Sequence, residues 1–129
     1  MPSSSLRILV VDDERDTADS FARLLKMSGH SAELAYDAAT AVRLAEECSP
    51  DLVFFDYTLP DMDGFSLARQ LARLPGTHKP VLVCITGHAG ADYEERARRV
   101  GCARMLVKPI DPEAVVQFVD EIAKAAVGG

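Results

Sequence analysis

Short apolar runs alternate with amphipathic segments along the whole chain, and this alternation constrains the fold more than any other sequence feature. The strand-like runs lie near residues 6–11, 32–36, 51–55, 80–85 and 104–107. Strands that alternate with helices form βαβ units and a parallel sheet. Most of the runs are apolar throughout, as expected where helices cover both faces of a sheet. The sequence therefore predicts an α/β fold with five strands and five helices.

The segments between the runs have the periodicity of amphipathic helices. Their apolar residues recur at spacings of three and four, as in Ala18, Phe21 and Leu25; Ala38, Ala41, Ala45 and Cys48; Leu67, Leu71 and Leu74; and Val115, Phe118, Val119 and Ile122. The fourth helix has only Tyr93, Ala97 and Val100 to turn toward the sheet, so we expect it to move most easily. The second strand alternates between polar and apolar residues, which suits an edge strand.

Polar side chains stand at the ends of four of the five runs. Asp12 and Asp13 follow the first run, Asp56 the third, Thr86 the fourth and Lys108 the fifth. In an open parallel sheet, ligands bind in the crevice beyond the carboxyl ends of the strands. These five side chains should therefore converge in one cleft.

Three carboxylates in one cleft require a cation. At about 4 Å and an effective dielectric of 20, each pair of like charges repels by roughly 4 kcal/mol. Hard oxygen ligands with remaining water positions suit Mg²⁺, or Mn²⁺ as a close substitute. With the metal bound, an oxygen of Asp56 can attack phosphorus and form an aspartyl phosphate. Thr86 would donate a hydrogen bond to a phosphoryl oxygen, and Lys108 would be the second cation.

Length, charge and cysteine content narrow the class of protein. A chain of 129 residues matches a single domain, here 1–129 with a core over about 6–126. The net charge of -6 and the absence of a clustered basic face disfavour direct binding of nucleic acid. Three cysteines leave one unpaired under any disulfide scheme, and no apolar stretch approaches the roughly eighteen residues of a membrane span. We therefore expect a cytoplasmic domain without membrane contact.

The site residues also carry a family resemblance. The pair Asp12-Asp13, the D-x-x-x-P-x-x-D-G stretch from Asp56 to Gly64, Thr86-Gly87 and Lys108-Pro109 resemble the receiver domain of bacterial two-component response regulators. The resemblance extends from Arg7 to about Ala126. It implies a flavodoxin-like (βα)5 fold with the parallel strand order 2-1-3-4-5, helices on both faces, and a cis peptide bond before Pro109.

The resemblance further implies a biochemistry. Asp56 would take a phosphoryl group from a phosphohistidine on a histidine kinase or a phosphotransfer protein. Mg²⁺ would be held by Asp13, Asp56 and the backbone carbonyl of Thr58, with Asp12 acting partly through water. Such a domain catalyses only its own phosphotransfer and autodephosphorylation, so it is not otherwise an enzyme. It would signal to a downstream protein through its fourth helix, fifth strand and fifth helix, as a monomer or a phosphorylation-dependent dimer.

Three positions bear on how this domain would switch. Receivers commonly carry Tyr or Phe three residues before the lysine, whereas this chain has Met105, a flexible side chain that can still repack beneath the fourth helix. Thr58 and His88 lie two residues beyond Asp56 and Thr86, at positions that tune autodephosphorylation in the family. We therefore expect Thr86 to be the switch hydroxyl, Thr58 and His88 to tune autodephosphorylation, and Met105 to occupy the position of the usual aromatic side chain in the switch.

Other classes of protein fit the same residues less well. A haloacid-dehalogenase-type phosphohydrolase, the remote alternative, needs a second Asp two residues after its nucleophile, where this chain has Thr58. A calcium loop around Asp61 and Asp63 would place Gln70 at the position of the bidentate Glu. An electron-transfer flavodoxin would need a phosphate-binding loop after the first strand, where this chain has acids. A receiver module from a larger hybrid kinase or response regulator is the nearer alternative.

Overall fold

Strands and helices alternate strictly along the part of the chain that the structure describes. The computed structural model describes residues 5–76, 79–87 and 90–128. Its elements in chain order are β1 (Arg7–Val11), α1 (Arg15–Met27), β2 (Ser31–Ala35), α2 (Ala38–Cys48), β3 (Leu52–Asp56), α3 (Gly64–Ala72), β4 (Val81–Thr86), α4 (Ala91–Arg99), β5 (Cys102–Val107) and α5 (Pro112–Gly128). All neighbouring strands pair in parallel, in the order β2-β1-β3-β4-β5. The predicted fold, strand order and edge position of the second strand are confirmed.

The central strands bury side chains on both faces of the sheet because successive residues point in opposite directions. Every residue of β3 is buried. Phe54 packs against Phe21 of α1 and Phe118 of α5, with ring centroids 4.8 and 6.5 Å away. Phe55 belongs to the opposite cluster, formed with α2, α3 and α4. Helices thus cover both faces, as the apolar runs indicated.

The helices present their predicted apolar faces to these two clusters. Within α1, the buried residues include the expected Ala18, Phe21 and Leu25. Cys48 at the end of α2 is only half-buried, although it continues the apolar spacing of that helix. In the described ranges, none of the helices combines the length and hydropathy that a membrane span requires.

The fourth helix is the least buried of the elements around the site. Of its residues only Ala97 is buried, whereas Tyr93, and Val100 just past the helix end, are partly buried against the α2–α3–α4 cluster. These three are the residues that the sequence pattern turns toward the sheet. Little apolar area therefore fixes α4, and its ease of movement stays a prediction.

Candidate functional site

The carboxyl ends of four neighbouring strands form one edge of the molecule. Asp56 ends β3 and Thr86 ends β4, and both are buried. The N–H of Lys108 donates to the carbonyl of Thr86 over 2.8 Å, which joins the end of β5 to the end of β4. The N–H of Asp12 donates to the carbonyl of Ala35 over 3.0 Å, which joins the end of β1 to the end of β2. The backbone itself therefore brings these side chains to one edge.

Three carboxylates are crowded together at this edge. Oxygens of Asp12, Asp13 and Asp56 all lie within 4.8 Å of one another. Asp12 and Asp56 are each 6% exposed, whereas Asp13 faces solvent. Burial raises the pKa of Asp12, and repulsion from Asp56 and Asp13 adds to this effect, against a hydrogen bond from the Glu14 N–H. Because the negative charges of these carboxylates repel one another, the cluster is consistent with a metal site.

Lys108 supplies a positive charge beside the same carboxylates. Its Nζ lies 3.0 Å from Oδ2 of Asp56. Although desolvation opposes the charged form, the hydrogen bond to Asp56 and the attraction of Asp56 and Asp12 raise the pKa of Lys108. The N–H of Thr58 donates to the other oxygen, Oδ1, over 3.4 Å. Both oxygens of Asp56 are therefore oriented by neighbouring donors.

Gly64 lets the loop after Asp56 close tightly. Its N–H donates to the carbonyl of Tyr57 over 2.6 Å, and Thr58 forms a bridge with Asp63. A Cβ atom at residue 64 would lie 2.7 Å from the backbone oxygen of Asp56 and 2.8 Å from Cα of Tyr57. The Asp63 side chain then caps α3 by accepting from the Ser66 N–H. Only a residue without a Cβ fits this close approach.

Asp61 fixes the same loop to a second helix. Its carboxylate accepts hydrogen bonds from the N–H groups of Ala38 and Ala39, at 2.9 and 3.0 Å. The bond from Ala38 is the largest cause that lowers the pKa of Asp61. Asp37 caps the next N–H of α2, that of Thr40. Sequence reasoning missed Asp61 because these contacts join residues more than twenty positions apart, without a local signal.

Asp61→Asn should lower the free energy of unfolding at neutral pH by about 0.5 kcal/mol, the usual scale for removing a negative charge from an exposed helix N-terminus. Because the pKa of Asp61 is lowered by folding, its contribution is present above the unfolded value of about 3.9 and is lost as the pH falls through the folded value. The difference between parent and variant should therefore hold near neutrality and vanish in acid. Urea denaturation across this pH range measures it, with the exposed Asp120→Asn as control. A difference that persists in acid would contradict the assignment.

The remaining predicted site residues take different places. Thr86 is 1% exposed, and the Lys108–Pro109 bond is cis. Met105 is partly buried against the α2–α3–α4 cluster, so it lies beneath α4. The Thr58 side chain is exposed. His88 lies outside the described residues.

Comparison with known proteins identifies the family. Residues 8–120 match the family described as the response regulator receiver domain. The chain belongs to this family. Over 112 residues, the receiver is 42% identical to the response regulator MprA of Mycobacterium bovis, a match that covers 87% of this chain and 48% of MprA. The receiver therefore spans about half the length of that relative.

Two further comparisons cover nearly whole chains. An uncharacterized 14.6 kDa protein of Leptolyngbya boryana, from the sodA1 3′ region, is 32% identical over 122 residues, which are 95% of this chain and 93% of that protein. A solved CheY-like receiver domain protein from Methanospirillum hungatei superposes with a TM-score of 0.85 at 28% identity, covering 97% and 99% of the two chains. Membership of the receiver family implies two-component signalling and a histidine kinase partner; receiver domains are generally not enzymes in their own right.

Proposed function

We propose that this receiver accepts a phosphoryl group on Asp56 from a phosphohistidine of a histidine kinase or phosphotransfer protein. The observation that carries the proposal is the pairing of Asp56 Oδ2 with Lys108 Nζ at 3.0 Å beside two further carboxylates, within 4.8 Å. Phosphoryl transfer depends mainly on positioning and charge neutralisation. A nucleophilic oxygen held between an ammonium and a metal-binding cluster meets both needs.

The metal would be Mg²⁺, or Mn²⁺ in its place. Carboxylate and carbonyl oxygens are the ligands that these ions prefer. Asp13, Asp56 and the backbone carbonyl of Thr58 would hold it, with Asp12 acting partly through water. When bound, the ion neutralises charge on the phosphoryl oxygens. The exposed carboxylate of Asp13 leaves one side of the cluster open to the donor.

The protein side chains carry the transfer. An oxygen of Asp56 attacks phosphorus while the bond from phosphorus to the donor imidazole nitrogen breaks, so the receiver gains an acyl phosphate and the donor regains its histidine. Lys108, whose side chain is 40% exposed, is free to follow the new negative charge onto a phosphoryl oxygen. The hydroxyl of Thr86 donates to another oxygen and acts as the switch. Thr58 and His88 tune autodephosphorylation.

A groove beside Lys108 suits the donor protein. Its volume is 790 Å³, and its apolar lining includes Phe21 and Leu24 of α1 together with Ile110. Lys108 also lines the groove, and its Nζ contacts Asp56, so a helix docked there would carry its phosphohistidine near the nucleophile. We assign this groove to the histidine kinase or phosphotransfer protein.

The output would be another protein, contacted through α4, β5 and α5, with the receiver as a monomer or a phosphorylation-dependent dimer. Residues 1–129 would form one cytoplasmic receiver domain that does not itself bind nucleic acid. The match to about half of MprA supports a second arrangement, in which this domain is one module of a longer response regulator or hybrid kinase. Catalysis by the domain is limited to its own phosphorylation and dephosphorylation in either arrangement.

Intact mass after incubation with acetyl phosphate tests the phosphoacceptor. With Mg²⁺ the parent should gain one phosphoryl group, and it should gain none when EDTA replaces the metal. Asp56→Asn should gain none under either condition because the amide is a poor nucleophile. Asp120→Asn, an exposed acid on α5, should behave as the parent. A phosphoryl group gained by Asp56→Asn would refute the proposed acceptor. The absence of any gain, in the parent and in every variant under all conditions, would refute it as well.

Asp13→Asn should stabilise the metal-free protein and abolish its stabilisation by Mg²⁺. Asp13 lies within 4.8 Å of two other carboxylates but is exposed, so relief of repulsion should raise the free energy of unfolding by about 1 kcal/mol, the scale of a like-charge pair in water. At 100 times its Kd, Mg²⁺ should stabilise the parent by about 2.7 kcal/mol. Thermal denaturation with and without Mg²⁺ measures both effects. If the metal-free variant were less stable than the metal-free parent, repulsion between the three carboxylates would not destabilise the parent as proposed.

A further inference from the structure

Tyr57, the residue after the proposed phosphoacceptor, belongs to an aromatic cluster beneath α4. Its ring meets the ring of Phe65 edge-on with centroids 4.9 Å apart, and that of Tyr93 with centroids 5.6 Å apart. Edge-to-face contacts at such distances are the favoured geometry for aromatic pairs. Tyr93 lies on α4, whereas Tyr57 and Phe65 lie in the β3–α3 segment. The cluster therefore joins the loop after Asp56 to α4.

Arg96 adds a second contact between the same two elements. Its guanidinium carbon lies 5.2 Å from the ring centre of Phe65 and 5.6 Å from that of Tyr93. Interaction with the side chain of Tyr57 is the main cause that raises the pKa of Arg96. Arginine over the face of an aromatic ring is attracted by the ring's negative face. Because Arg96 is itself exposed, it covers the cluster on the solvent side.

The backbone of Tyr57 is held within the candidate site. Its N–H donates to the carbonyl of Ile85 over 2.8 Å, next to Thr86, and its carbonyl accepts from the N–H of Gly64 over 2.6 Å. The peptide groups on both sides of the Tyr57 Cα are therefore each held by one hydrogen bond, which leaves this residue little freedom to absorb a displacement of Asp56. The residue after Asp56 is thus joined through its backbone both to the end of β4 and to the start of α3.

Apart from this cluster, α4 buries few of its own side chains. Only Ala97 of that helix is buried. Met105 lines a cavity of 280 Å³ together with Ala97 and Arg98, so the thioether has room to repack without pushing the helix. The flexible side chain of Met105 is thus poorly suited to pass a displacement in the site on to α4. The rigid rings of Tyr57 and Tyr93 provide a stiffer connection.

We propose that Tyr57 transmits the phosphorylation state of Asp56 to α4 through the contact of its ring with Tyr93. Tyr57 is a positioning residue, since it acts through its neighbours and not on the phosphoryl group. The inference rests on the proposed phosphorylation of Asp56. It differs from that proposal in naming the path by which α4 responds.

Hydrogen exchange of α4, followed by mass spectrometry on the full chain, tests the path. Each sample is treated with Mg²⁺ with or without acetyl phosphate, and its intact mass reports phosphorylation. In the parent, phosphorylation should change the exchange rate of α4 amides by about threefold or more, since lightly packed helices open at low cost. Tyr57→Leu should be phosphorylated as the parent but lose this difference. Tyr57→Phe, which keeps the ring, should retain it.

Matched variants separate a signalling role from a structural one. A merely structural residue would change α4 exchange equally in both states, so the readout is the difference between states. Tyr36→Leu, on the opposite side of the sheet, and Met105→Ala should keep the difference. Tyr93→Leu removes the same contact from the α4 side and serves if Tyr57→Leu does not fold.

Two outcomes overturn the inference and one overturns its basis. A phosphorylated parent without a change in α4 exchange, or a phosphorylated Tyr57→Leu that keeps the parent's difference, would show that Tyr57 does not carry the signal. An absence of phosphoryl gain in the parent would instead refute the phosphorylation of Asp56, and this path would be rejected with it.

Discussion

Replacement of Lys108 by methionine should slow phosphorylation of Asp56 by acetyl phosphate about 100-fold, the usual cost of removing one preorganised charge-stabilising donor. Lys108 Nζ lies 3.0 Å from the nucleophilic carboxylate, and its raised pKa keeps it an ammonium at neutral pH. Methionine has a similar length and apolar stem but no charge. The loss should therefore appear in the rate of transfer and not in the fold.

The same replacement should strengthen Mg²⁺ binding. Lys108 neutralises part of the charge on Asp56, so its removal leaves three carboxylates without their nearest cation. Intact mass over time gives the rate, and Mg²⁺ titration followed by thermal denaturation gives the affinity. Lys124→Met, an exposed lysine on α5, is the control and should change neither quantity. An unchanged rate, or weaker Mg²⁺ binding, would contradict the role assigned to Lys108.

Gly64→Ala should lower the free energy of unfolding by about 2 to 3 kcal/mol, the upper range for overpacking a buried position. The added Cβ would lie 2.7 Å from the backbone oxygen of Asp56 and 2.8 Å from Cα of Tyr57. Neither atom belongs to a flexible side chain, so the clash can be relieved only by moving the backbone that carries the nucleophile. Phosphorylation should slow as a result.

Gly87→Ala is the matched control for this substitution. Gly87 follows Thr86 at the same edge of the sheet, yet a Cβ there meets no atom of the described residues within 4 Å. Urea denaturation of both variants should separate them by about 2 kcal/mol, the cost of strain at one site alone. A Gly64→Ala variant as stable as Gly87→Ala would show that the loop can relax around the added methyl group.

The sequence predicted the sheet well because its physical signals are local. Apolar runs and helical spacings report burial directly, and the family pattern supplied the strand order. The fifth strand begins at Cys102, two residues before its predicted start, beside a register shift at Leu82 and Val83 of β4. A single sequence carries no local signal for such an irregularity because it depends on how two strands pair.

Site residues that directly follow strands could be predicted from the sequence. Contacts between elements that are distant in the sequence could not. Asp12, Asp13, Asp56 and Lys108 come together at the edge where their positions after the strands place them. The contacts of Asp61 with α2 and of Tyr57 with α4 had no such signal, since each joins elements that meet only after folding.

The bonds from Asp61 to the first turn of α2 bear on protein engineering. Because this carboxylate occupies the N–H groups of Ala38 and Ala39, the loop that carries Asp56 is shaped partly by a helix far away in sequence. We therefore do not expect the loop to keep its conformation when it is moved alone into another protein. A chimera that transplants residues 56–64 into another receiver should also transplant the start of α2, or the donated loop will meet a helix that does not bind it.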